Sequence, residues 1–144
     1  MIPMMREFVA CHEFAQMVDN LGTEAYFSLM SIATAMVGNS SSGIIEAASF
    51  KLPVVNIGTR QAGRIRGRNV IDTGYGRTEI LAGIEKATHP GFRAELEGLE
   101  NPYGDGRAAA KIVKALRETP LDERLIRKRF YDMAVPDRGG PDGR

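Results

Sequence analysis

Two short stretches combine residue types that suit the capture of an anion. The first is Asn39-Ser40-Ser41-Ser42-Gly43, an amide and three hydroxyls ending in a glycine. A brief apolar run, Ala35-Met36-Val37-Gly38, precedes it, and a helical pattern from Ile44 to Phe50 follows. Asn or Ser at such a junction caps the helix while free backbone N–H groups face outward. Hydroxyls, N–H groups and the positive end of the helix dipole together make a site suited to phosphate. Gly43 removes a side chain where a ligand needs close approach. The same residues also suit an ordinary polar helix cap, and both readings stand at this level.

Glu46 follows Ser42 by four residues, so on a helix both project from one side. Ile44, Ala47 and Ala48 then take the packed side. A carboxylate there accepts two hydrogen bonds from a ribose diol; it serves equally as a first-turn acid interacting with the dipole. The second stretch is Gly58-Thr59-Arg60-Gln61-Ala62-Gly63-Arg64, directly after Val54-Val55-Asn56-Ile57. Arg60, Arg64, Arg66, Arg68 and Arg77 fall in a region where Asp72 is the only acid, and arginines outnumber lysines fourteen to five. Arginine favours planar, bidentate capture of phosphate or carboxylate. A solvated basic loop would have the same composition. With Arg60 facing the serine loop, the two stretches read together as a pyrophosphate clamp.

The elements that must hold these loops alternate between short apolar runs and amphipathic segments. A helix is expected from Met1 to about Ala15, starting after Pro3, with Met4, Met5, Phe8, Val9 and Phe14 apolar. Gln16-Met17-Val18 reads as a short strand before the turn Asp19-Asn20-Leu21-Gly22. A helix over about Thr23–Thr34 has Thr23 as its N-cap and Tyr26, Leu29, Met30 and Ala33 on one face. Val54–Ile57, introduced by Pro53, is the clearest buried strand, and Asn69-Val70-Ile71 is a further apolar run. Helices are expected at about Thr78–Thr88, Gly106–Arg117 and Leu121–Tyr131, with a disordered tail over 135–144. This alternation predicts an α/β fold with a mainly parallel sheet, in which the loops after the strands share the ligand-binding edge. Three or four strands are few for a doubly wound domain.

The bulk composition narrows the function. At 144 residues the chain is about one domain, 43% hydrophobic and 26% charged, with a formal net charge of +1. Near-neutrality argues against a nucleic-acid binder. No run approaches the ~18 apolar residues of a membrane span, and no signal peptide is apparent, so a cytoplasmic protein is expected. The single cysteine, Cys11, excludes an internal disulfide and a Cys-based zinc site, and reads as a packed small residue. His12 and His89 are isolated, His89 reading as a turn residue before Pro90-Gly91, so no metal is expected. A Gly-x4-Gly-Lys-Ser/Thr loop is absent. Gly104-Asp105-Gly106-Arg107-Ala108-Ala109 matches G-x-G-x-x-A but follows Asn101-Pro102-Tyr103, which is no strand, so a dinucleotide site fails on context.

Val37 to Glu46, then Leu52 to Gln61, Gly63-Arg64, Asn69-Val70-Ile71 and Asn101-Pro102-Tyr103-Gly104-Asp105-Gly106 resemble the hydrolysing UDP-N-acetylglucosamine 2-epimerase family. The resemblance covers about residues 20 to 118. It implies a Rossmann-like parallel sheet forming part of the C-terminal domain of a two-domain, glycosyltransferase-B-type fold, with 1–134 as the UDP-binding domain, incomplete at its N-terminal side. It implies anti elimination of UDP from UDP-GlcNAc to a 2-acetamidoglucal, then addition of UDP or water in the ManNAc configuration. It also implies that Ser40 and Ser41 contact phosphate, Glu46 the ribose, and that Arg60 lines the UDP site; Ser42 and Gly43, from the reading of the loop itself, complete the expected UDP-binding residues.

The family's acid/base carboxylates come mainly from an amino-terminal domain outside these motifs. The chain is therefore expected to bind UDP or UDP-GlcNAc without a cofactor and to be catalytically incomplete alone, with a separate chain or a homo-oligomer as possible partners. The alternatives are a non-catalytic UDP-sugar-binding or regulatory module and half of a glycosyltransferase-B enzyme.

Overall fold

The computed structural model of the chain describes residues 2–127. It separates into two compact units, Met1–Asp105 and Gly106–Arg144. The first contains α1 (Ile2–Cys11), α2 (Gly22–Ile32), β1 (Met36–Gly38), α3 (Ser42–Ile45), a 3-10 turn (Ala47–Phe50), β2 (Val54–Ile57), β3 (Val70–Thr73), α4 (Arg77–Thr88) and α5 (Pro90–Glu95). The second contains α6 (Ala108–Glu118) and α7 (Glu123–Ile126).

The fold is α/β. The three strands form a parallel sheet in the order β1-β2-β3, with Met36 opposite Val54 and Val54 opposite Val70. Successive side chains of a strand face opposite sides of the sheet, and β2 buries both. Val54 packs with Met30, Ala47 and Leu52, against which Tyr26, Met36 and Phe50 also lie. Val55 meets α4 on the other side, where a Cβ added to Gly83 would stand 3.0 Å from Val55 Cγ1. A central parallel strand covered on both faces explains the unbroken apolar run at 54–55. Parallel strands also bring their carboxyl ends, Gly38, Ile57 and Thr73, to one edge.

Several expectations are corrected. Gln16–Val18 is not a strand; its residues have no partner in the sheet, and Val18 is exposed. Helix α1 stops at Cys11 rather than Ala15, where His12 Nδ1 bonds the Phe8 carbonyl oxygen at 2.7 Å and stacks on the Phe8 ring. Its apolar positions are not core, for none of its residues is buried, and Cys11 is exposed rather than packed. Thr23 is not the N-cap of α2: the helix starts at Gly22, whose N–H is taken by Asn20 Oδ1 at 2.8 Å. His89 does more than turn the chain. Its Nδ1 accepts the Gly91 N–H at 3.1 Å and caps the short helix α5, with Pro90 at the helix's first position.

The helix expected over Ile44–Phe50 is broken in two. It begins at Ser42, changes pitch at Glu46 (φ −95°) and tightens into the 3-10 turn, which ends at Lys51 in the left-handed region (φ 51°). The N-terminal residues of α4 and α6 differ from expectation by one and two positions. Part of the Leu121–Tyr131 helix and the whole 135–144 tail lie outside the described residues.

Candidate functional site

The serine loop follows β1 and opens α3. Its own turns engage several of its N–H groups: Ser42 N–H reaches Ser40 Oγ at 3.3 Å, Gly43 N–H the Ser40 carbonyl at 3.3 Å, and Ile44 N–H the Ser41 carbonyl at 2.9 Å. The N–H groups of Ser40 and Ser41 have no partner among the described residues, and Ser40 is exposed. Because α3 is four residues long, its dipole is small, and the anion-holding capacity here lies in these two N–H groups and the hydroxyls.

Gly43 serves a different purpose from the one its sequence context indicated. It is buried, and a Cβ there would stand 2.9 Å from Val54 Cγ1 and 3.6 Å from Met36 Sδ. Its bare backbone lets α3 sit close on the sheet; it does not open a path for a ligand.

Ser42 and Glu46 do share one side of the chain. Both line a cleft of about 700 Å³ together with Asn20, Thr23, Tyr26 and Phe27 from the loop before α2 and the helix itself. Tyr26 donates its hydroxyl to Ser42 Oγ at 2.8 Å. Glu46 Oε2 is buried and has no hydrogen-bond partner among the described residues. A buried carboxylate oxygen without a donor is costly, so the cleft presents an unmet demand for donors beside a hydroxyl. The Ile45 carbonyl, just before this carboxylate, accepts from Asn101 Nδ2 at 2.8 Å, and the same amide reaches Ser49 Oγ at 2.7 Å. Asn101 thus spans the break between α3 and the 3-10 turn. Tyr103, two residues on, donates its hydroxyl to the Ile65 carbonyl at 3.0 Å.

The second loop is tied to the first. Gln61 is 3% exposed and donates Nε2 to the Asn39 carbonyl at 2.8 Å. Arg66 donates to the Gln61 carbonyl at 3.0 Å and the Arg64 carbonyl at 2.9 Å, and pairs with Asp72 at 3.0 Å. Asp72 also accepts from the buried Asn56 amide at 2.7 Å. Arg68 is occupied as well, donating to the Glu97 carbonyl at 2.7 Å. Arg60 is exposed, and its guanidinium has no partner among the described residues. The basic stretch therefore divides: Arg66 and Arg68 hold the loop, whereas the guanidinium groups of Arg60, Arg64 and Arg77 have no partner among the described residues, and of these Arg60 adjoins the anchored Gln61. Among the described residues, the Arg60 guanidinium makes no hydrogen bond to the serine loop.

On the other side of Arg60, the N–H of Thr59 donates to Tyr75 Oη at 3.2 Å, with Thr59 Oγ1 at 3.4 Å. The Thr59 hydroxyl, and then its N–H, hold the Tyr75 phenol below its usual value of 10.0. Tyr26, Tyr75 and the amides of Gln61 and Asn101 were not identified as site-forming from sequence. The one available signal was that a tyrosine on a packed helix face needs a partner for its hydroxyl.

Among the described residues no three His, Cys, Asp or Glu side chains group as a metal site, and no helix is long and apolar enough to cross a membrane.

A parallel α/β unit with polar loops gathered at the carboxyl edge of its strands defines a ligand-binding class of fold. Its relatives give the family. The model of the UDP-N-acetylglucosamine 2-epimerase family matches residues 2–117, and the chain belongs to that family. It is 41% identical over 120 residues to a hydrolysing GDP/UDP-N,N'-diacetylbacillosamine 2-epimerase of Campylobacter jejuni, covering 83% of this chain and 30% of that one. It is 33% identical over 111 residues to a UDP-N-acetylglucosamine 2-epimerase of Neisseria meningitidis, covering 76% and 29%. A crystal structure of a UDP-N-acetylglucosamine 2-epimerase shares the fold, with a TM-score of 0.61 at 21% identity over 79% of this chain and 32% of that one. The chain thus spans about 30% of the length of these curated relatives.

Proposed function

We propose that this chain is the UDP-sugar-binding part of a UDP-N-acetylglucosamine 2-epimerase, with residues 1–134 as the binding domain of a Rossmann-like, glycosyltransferase-B-type architecture. The observation that carries the reading is the buried, unpartnered Oε2 of Glu46 in a cleft beside Ser42. A ribose diol supplies the two donors such a carboxylate lacks. In the bound complex Ser40 and Ser41 hold phosphate through their free N–H groups and hydroxyls, with Ser42 at the cleft. Gly43 supports the loop from beneath, and Arg60 neutralises the pyrophosphate. Loss of one charge-assisted contact costs about 1.5–3 kcal/mol, or roughly ten- to a hundredfold in Kd.

Calorimetry of UDP binding to the chain and to Glu46→Gln and Arg60→Ala tests the site. Each substitution is expected to weaken binding by that factor; unchanged affinity in both sinks the clamp.

The acid–base chemistry at the sugar's C2 requires groups within hydrogen-bond reach of the substrate, and we infer that these come from outside residues 1–144. The chain alone is then expected to leave UDP-GlcNAc unchanged. Sustained release of UDP and ManNAc, followed by chromatography, would overturn that inference. The relative at 41% identity is named for a GDP/UDP-linked N,N'-diacetylbacillosamine, which favours that diacetylated sugar as the second candidate substrate. Faster turnover of it by the completed enzyme distinguishes the two. The chain's single thiol suits a cytoplasmic protein.

A further inference from the structure

We propose that Tyr75 is a positioning residue for Arg60, holding the backbone of the arginine's loop against the end of β2. The inference rests on the UDP site proposed above and assigns to it a residue that acts through the arginine's loop.

Arg60 lies between two anchored neighbours. On its carboxyl side, Gln61 is fixed by its amide to Asn39 and by its carbonyl to Arg66. On its amino side, the Thr59 carbonyl accepts the Ala62 N–H at 2.9 Å across the turn, and the Thr59 N–H and hydroxyl converge on the Tyr75 oxygen at 3.2 and 3.4 Å. Gly58, one residue earlier, takes φ +74°, and a Cβ there would collide with the Tyr75 ring. Only glycine leaves room for the ring to lie on this backbone. The Gly58 N–H is in turn held by the Thr73 carbonyl at 2.8 Å, two residues before Tyr75. The short segment after β3 therefore fixes the short segment after β2.

Tyr75 is otherwise hard to explain. It is 71% exposed, so it contributes little to the core, yet its ring and hydroxyl are both directed onto Gly58-Thr59. Fixing Thr59 and Gln61 removes backbone freedom on either side of Arg60 before any anion arrives. The side chain alone remains to be ordered on binding, which lowers the entropic cost of the contact.

A double-mutant cycle separates this role from simple stabilisation. Tyr75→Phe keeps the ring over Gly58 and deletes only the hydroxyl. UDP affinity is measured by calorimetry for the 144-residue chain, Tyr75→Phe, Arg60→Ala and the double variant, and amide exchange at Thr59 is followed alongside. Tyr75→Phe is expected to weaken UDP binding about three- to tenfold with faster exchange at Thr59, and to have no further effect once Arg60 is alanine. If Arg60→Ala weakens binding but Tyr75→Phe either does nothing or weakens both backgrounds equally, the positioning role is wrong and the UDP site stands. If the chain binds no UDP, or Arg60→Ala leaves affinity unchanged, the proposed site falls and this inference falls with it.

Discussion

Replacing Asn101 with alanine tests whether the Asn101-Pro102-Tyr103 segment holds the broken helix that presents Glu46. The amide makes three hydrogen bonds: Nδ2 to the Ile45 carbonyl at 2.8 Å and to Ser49 Oγ at 2.7 Å, and Oδ1 from the Tyr103 N–H at 2.9 Å. They are not equal. Ser49 and Tyr103 are exposed and turn to water when the amide is removed, so each contributes little beyond the ~1 kcal/mol of an ordinary bond and less after resolvation. The Ile45 carbonyl is half-buried at the point where the helix ladder is interrupted, and it bears most of the loss, about 1–3 kcal/mol for an unsatisfied group. The net expectation is about 2 kcal/mol, which in a unit of this size lowers Tm by roughly 10 °C. Urea and thermal denaturation monitored by circular dichroism measure it. Asn101→Asp is the informative companion. It keeps the acceptor for Tyr103 but sets an anionic oxygen against the Ile45 carbonyl, and is expected to be at least as destabilising as alanine. An alanine variant within about 0.5 kcal/mol of the parent, the size of a neutral surface change, would refute the spanning role.

Gly58→Ala forces a Cβ into the Tyr75 ring at a φ of +74°; destabilisation of about 1–3 kcal/mol is expected, with loss of protection at the Thr59 amide in hydrogen exchange. Tyr75 ionises below 10.0 because the Thr59 hydroxyl and N–H stabilise its phenolate. With the folded value below the unfolded one, the resulting stabilisation is complete above pH 10 and disappears as pH falls through the lowered pKa. Spectrophotometric titration of Thr59→Val is expected to move that tyrosine upward, and an unmoved titration removes the Thr59 hydroxyl as the chief cause.

The α/β class and the placement of the loops were legible because β2 announces itself: Pro53 followed by a continuous apolar run has the pattern of a strand covered on both faces. The pairing of Ser42 with Glu46 was legible for a similar reason, since one helical turn aligns residues four apart even though the helix ends at Glu46. What failed was decided by partners far away in sequence. Gln16-Met17-Val18 has strand-like residues but no strand to bond. The apolar positions of α1 follow a helical period, yet nothing in the described residues buries them. Gly43 looked like a residue making way for a ligand because it stands among serines; its constraint is Val54, eleven residues on. Arginine count was equally ambiguous, since only the contacts of Arg66 with Asp72 and of Arg68 with Glu97 distinguish a structural guanidinium from those of Arg60, Arg64 and Arg77, which have no partner among the described residues.

For the anion site proposed at the serine loop, the break in the helix changes which physical effect would recruit the anion. A continuous helix would bring a macrodipole to bear, and the field would fall on whatever lay at its end. With α3 reduced to one turn, the attraction is carried by a few directed groups, chiefly the N–H groups of Ser40 and Ser41, so geometry matters more than field. Directed donors lose value quickly when displaced, which is why so many of the surrounding contacts serve to fix backbone. Gln61 bonds the Asn39 carbonyl just before the serines, Asn101 bonds the Ile45 carbonyl just after them, and Gly43 seats the turn on Val54. The same break lets Glu46 take φ −95° and remain on the Ser42 side of the cleft while Ala47 and Ala48 turn fully inward. The interrupted helix thus exchanges dipole strength for a carboxylate and two free N–H groups held at fixed positions on one short stretch of chain.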